Sequence, residues 1–117
     1  MTGPQDDDDD GPGDAFDRRV GSVLDSEADL LRQLSERLLT TGSTSIERPA
    51  GMLTAQLRRP GRFRGGALDI ATRTTGGSAS GTGHLPLGRA HRDDAALLSE
   101  ITLQLAVHLA SLDETAA

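Results

Sequence analysis

The chain has 117 residues, 35% apolar and 26% charged, with eighteen acids against twelve bases and a net charge of −6. All twelve bases are arginine, and there is no cysteine, tryptophan or tyrosine. These figures exclude a disulfide framework, a thiolate metal site, an iron–sulfur cluster and a cysteine nucleophile, and they support one compact domain.

No uninterrupted run of about 18 apolar residues occurs, so no membrane-spanning helix is expected. The acidic start lacks the basic-then-apolar pattern of a leader. A soluble cytoplasmic protein is the expectation. Residues 1–14 read as a disordered acidic tail: Asp6 to Asp10 repel one another, Gly11-Pro12-Gly13 favours no regular structure, and nothing apolar offsets the ordering entropy. Residues 15–117 form a single small domain.

From Asp14 to about Thr40 the period is helical. Phe16, Val20, Val23 and Leu24 recur at spacings of three and four, and so do Leu31, Leu34 and Leu38. Ser26 followed by Asp29 resembles a capping box and predicts a helix start near Glu27. One bent helix and a short helix followed by a longer one both fit. Gly42 suits a left-handed cap.

Between Ser43 and Gly88 the helical period disappears. Met52 to Arg59, Ala67 to Thr75 and His84 to Leu87 alternate as half-buried strands, with Thr44 to Arg48 as a short fourth. Met52 to Arg58 also fits one or two helical turns. Pro60-Gly61 and Gly65-Gly66 mark turns, and Pro86 confines its strand to an edge. Gly76 to Gly83 reads as a flexible loop.

The last element runs from Asp93 or Asp94 to about Asp113, with Asp93 as N-cap. It is apolar on more than one side, so it is buried on more than one side. The fold class is α+β: two long amphipathic helices flanking a small antiparallel sheet along the chain, both packed on one of its faces, or else a helical pair with an irregular excursion between them. The excess of leucine on the last helix predicts a homodimer with Leu98, Ile101, Leu105 and Leu109 buried, some of them across the interface.

Charge is segregated along the chain. Residues 1–47 carry a net −8, residues 48–92 a net +7 with Asp69 as the one acid, and residues 93–117 a net −5. The basic density peaks in R-R-P-G-R-F-R-G-G, Arg58 to Gly66. Arg58, Arg59, Arg62 and Arg64 surround Phe63, in a pattern similar to arginine–glycine segments that bind RNA by phosphate contacts and stacking. The bland alternative is a solvated turn whose arginines pair with helix acids or with the aspartate tail. If the block does bind, the tail is expected to compete for it as an electrostatic cover.

Other chemistries find little support. Gly76 and Gly81 have phosphate-loop spacing, but no lysine precedes Thr82 and no helix follows. Gly77-Ser78-Ala79-Ser80-Gly81 has alanine where a nucleophile elbow needs serine. His91 with Asp93, Asp94 and His84 offers metal-ligand atoms without the helical spacing that gathers them on one ion, and His108 reads as a boundary histidine. Neither a metal, a cofactor nor a catalytic residue is expected.

The segment from Gly83 to Leu109, G-H-L-P-L-G-R-A-H-R-D-D-A-A-L-L-S-E-I-T-L-Q-L-A-V-H-L, resembles the end of a GAF-type sensor domain. A strand ending in L-G-R leads through a short loop and an acidic helix start into a long apolar helix. The resemblance covers about a quarter of the chain and implies a reduced, dimerising module in signalling; no ligand residue of that family carries over. The sequence therefore points to a non-catalytic interaction or regulatory module, expected as the dimer above, with an unidentified protein partner. The alternative is RNA or polyanion binding through Arg58 to Gly66.

Overall fold

The computed structural model describes residues 12–76 and 80–116. Its elements are α1 (Pro12–Ser26), α2 (Ala28–Thr41), β1 (Ser43–Arg48), β2 (Gly51–Arg58), β3 (Gly66–Thr74), β4 (Ser80–Leu87), a 3-10 turn (Arg89–Arg92) and α3 (Asp94–Ala116). The fold is α+β. Four antiparallel strands form one sheet in the order β1-β2-β3-β4. α2 packs over β1 and β2, α3 over β3 and β2, and α1 against α3. The helices share one face of the sheet, and only α3, at 23 residues, is long.

α1 begins at Pro12, inside the stretch expected as a tail. Proline suits the first helical position, where its missing N–H has no partner to lose. Residues 1–11, including the aspartate run, lie outside the described residues. The α1–α2 junction is a bend at Glu27 (φ −120°, ψ 31°). The ladder continues through it: Glu27 N–H donates to the Val23 carbonyl and Leu31 N–H to the Glu27 carbonyl, both at 2.9 Å. No orphan donor is left for Ser26 to cap, and its hydroxyl donates back to the Ser22 carbonyl at 2.7 Å instead. Gly42 takes the left-handed cap at φ 87°, its N–H on the Leu38 carbonyl.

The strands alternate as the sequence suggests. Leu53 and Ala55 of β2, Leu68 and Ile70 of β3 and Leu87 of β4 face the helices and are buried. Thr54, Gln56, Asp69 and Thr82 face away and are exposed. β4 starts at Ser80, so part of the glycine-rich segment expected as a loop is strand. Gly81 pairs with Thr72 and Gly83 with Ile70. A Cβ on Gly83 would lie 2.6 Å from the His108 ring, so glycine lets α3 sit close over this edge. Pro86 lies opposite Ala67 on that edge strand, where its missing donor costs no ladder bond inside the sheet.

α3 is the core of the molecule. Asp93 caps it, with Oδ2 accepting from Ala96 N–H at 3.0 Å. Leu97, Ile101, Leu105 and Leu109 are fully buried, and Ala106 and Ala110 are buried as well. Residues 94–113 have a mean hydropathy of 1.5, which by length and composition alone is enough to cross a membrane. No uninterrupted apolar run is needed to reach that average. In this fold the sheet and the other helices cover one side of α3, and Leu98 and Leu103 stay exposed on the other. Where α2 meets α3, the buried Ser35 hydroxyl contacts that of Thr102 at 3.3 Å, and these small side chains let the two helices approach.

Arg48 locks one end of this assembly. Its guanidinium bonds both oxygens of Glu27 at the α1–α2 bend and, at 2.9 Å, Asp113 near the end of α3. Its side chain is only 17% exposed. The Glu27 hydrogen bond, set against the cost of burial and reinforced by Asp113, raises the pKa above the ordinary arginine value.

Candidate functional site

The arginine block is the hairpin loop between β2 and β3, residues 59–65. Its backbone closes in two ways. Gly61 N–H donates to the Arg64 carbonyl at 2.7 Å, making a tight inner turn. At the base, a Cβ on Gly66 would lie 2.1 Å from the Arg58 carbonyl oxygen, so only glycine lets the strands meet there. The turn pushes Phe63 outward, to 94% exposure. The Arg62 guanidinium lies 5.9 Å from the centre of its ring, within cation–π range.

Register brings more arginine to this end. Gly66 pairs with Leu87, so the 3-10 turn carrying Arg89 and Arg92 begins beside the foot of the hairpin. Arg59 reaches across to Asp94 in the first turn of α3. Leu57 N–H donates to the Gly42 carbonyl at 2.8 Å, which adds the end of α2 to the same pole. Among the described residues, no carboxylate pairs with Arg58, Arg62, Arg64, Arg89 or Arg92. Of the block, Arg59 alone makes the helix-acid pairing that a bland reading gives to all four. The approach of Arg89 and Arg92 escapes sequence reasoning, because it depends on strand register. The net +7 of residues 48–92 is the signal that pointed toward it.

The four residues expected at a dimer seam separate. Ile101, Leu105 and Leu109 are fully buried within one chain, while Leu98 is 36% exposed. Leu103, on the outward side of α3, is the other exposed leucine of that helix.

The histidines separate too. His84 pairs with Asp69 on the outer face of the sheet. His91 Nε2 lies 3.5 Å from Glu100. His108 Nδ1 donates to the Gln104 carbonyl at 2.8 Å, under β4. Asp93 is occupied as the helix cap. Among the described residues, no three His, Asp or Glu side chains come together as a metal site. The segment 83–109 that resembles a GAF terminus spans the second part of β4, the 3-10 turn and α3 as far as Leu109.

No protein-family model, curated protein or solved structure matches the chain.

Proposed function

We propose that the protein is a non-catalytic interaction module that docks on a polyanion through the β2–β3 hairpin, with single-stranded RNA as the fitting partner. The observation that carries this is Phe63, 94% exposed between Arg62 and Arg64, neither of which pairs with a carboxylate among the described residues. A phenylalanine left in water without a packing role costs apolar exposure. Stacked on a base, the same ring contributes about 1–3 kcal/mol, and the arginines around it release counterions from phosphate. Arg58, Arg89 and Arg92 widen the cationic surface to match a chain of phosphates in place of a single anion.

The experiment is binding to a short single-stranded RNA and to heparin at low salt. Arg58→Gln, Arg62→Gln and Arg64→Gln together should weaken both at least about tenfold and flatten the salt dependence by about two to three charges. Phe63→Ala should weaken RNA about tenfold and leave heparin, which has no bases, nearly unchanged. An intact protein that binds neither ligand at low salt removes the proposal. Equal loss of both on Phe63→Ala removes the stacking role.

A further inference from the structure

The face of the sheet turned away from the helices carries a pattern that the hairpin does not use. Register sets its side chains in rows across the strands. Ser43, Gln56, Asp69 and His84 form one row; Ser45, Thr54, Ala71 and Thr82 the next; Glu47, Met52, Arg73 and Ser80 the third. The middle row is small. Two shallow depressions, of about 410 and 310 Å³, lie on either side of it and share Thr54, Ala71 and Thr82.

On β3 the outer rows carry opposite charges, although Asp69 also pairs with His84 and the third row ends on Glu47, which the axis described below sets over Ser43. On β3, Asp69 stands two residues to one side of Ala71 and Arg73 two residues to the other. Among the described residues Arg73 has no ion-pair partner. On β2, Met52, at 40% exposure, stands opposite Gln56 about Thr54 in the same way.

We infer that this face is the interface between two copies of the chain, related by a two-fold axis that runs across the strands along the middle row. Such an axis lays the first row of one copy over the third row of its partner. Arg73 of each copy then meets Asp69 of the other, twice over. The exposed Met52 enters the larger depression, which Gln56, Asp69 and His84 border on the partner. The other in-plane axis, along the strands, sets Asp69 near its own copy and Arg73 near its own, and like charges oppose it. Stacked sheets cross at about 30°. Asp69 and Arg73 lie only about 7 Å from the axis, two residues at about 3.3 Å each, so this crossing displaces the pairs little. The small middle row lets the sheets close. The hairpin lies beyond the paired rows, so this contact stands apart from the polyanion reading. The axis directs the two hairpins to opposite ends of the dimer.

The test is the mass of the full chain by sedimentation from 1 to 100 µM. The wild type should be a dimer at the upper end. Arg73→Asp and Asp69→Arg each bring like charges together and should raise the dimer dissociation constant at least about tenfold, while the double variant restores it. The chain has no cysteine, so Ala71→Cys gives an independent reading. A short bis-maleimide should join two copies through residue 71, whereas Leu103→Cys should not cross-link. A monomeric wild type overturns the proposal. So do single variants that remain dimeric, a double variant that fails to recover, or cross-linking through position 103 instead of 71.

Discussion

Two ends of one sheet use arginine in opposite ways. At one end Arg48, on the helix side of the sheet, meets Glu27 and Asp113, is largely buried, and ties the α1–α2 bend and α3 to β1, while Arg73 at the same end lies on the outer face. At the other end Arg58, Arg62, Arg64, Arg89 and Arg92 lie about an exposed Phe63, and among the described residues only their neighbour Arg59 finds an acid. The difference lies in the supply of carboxylates, since the side chain is the same. Where helix ends bring two acids within reach, the guanidinium is drawn into structure. Where the described acids are too few, the cationic side chains stay exposed.

The largest effect that separates the ends is on stability. Arg48→Met removes the guanidinium and leaves two partly buried carboxylates facing each other. It should cost about 2–4 kcal/mol by urea unfolding, with hairpin binding to heparin unchanged. The raised pKa of Arg48 fixes the sign of the alkaline limb: the contribution is complete below the ordinary arginine pKa and is lost as pH rises from there through the higher folded one. Stability should therefore not fall between neutral pH and pH 10 through this group. A cost under about 0.5 kcal/mol would mean that Arg48 is as uncommitted as the hairpin arginines.

A middle-sized effect concerns competition for the open end. Asp6 to Asp10 carry five negative charges on the same chain. Deleting residues 2–11 should tighten heparin binding about two- to fivefold at low salt, and the gain should vanish near 0.5 M salt as screening shortens. Unchanged affinity at low salt would show that the aspartates do not compete.

The smallest effect tests the one paired member of the block. Arg59→Gln breaks an exposed pair with Asp94 and should change stability by less than about 1 kcal/mol. A loss as large as that of Arg48→Met would make the hairpin a structural clamp, and the contrast between the ends would collapse.

Much of the fold was legible in the chain. Leu31, Leu34 and Leu38 at helical spacing, Leu53 and Ala55 at strand spacing, Gly42 as a left-handed cap and Asp93 as an N-cap are local patterns, and each took the expected conformation. The less legible elements were those that depend on neighbours. Gly81 and Gly83 have low strand preference, yet they extend β4 because β3 offers a ladder and His108 leaves room for no side chain at Gly83. Ser26 carried a capping signal that the continuing helix made redundant. For the site, the hairpin arginines and Phe63 could be named from the sequence, but which of them would be paired could not.

The sequence by itself determined most of the helices and the alternating strand segments, though not the start of α1 or of β4, and that residues 48–92 hold a surplus of positive charge, because periodicity, capping and charge are properties of neighbouring residues. The tertiary structure alone decided that Ile101, Leu105 and Leu109 are spent inside one chain, that Arg89 and Arg92 join the hairpin, and that Arg48 leaves the basic pool for Glu27 and Asp113. Those outcomes depend on strand register and on the helices sharing one face, and both are set by contacts between residues far apart in the chain.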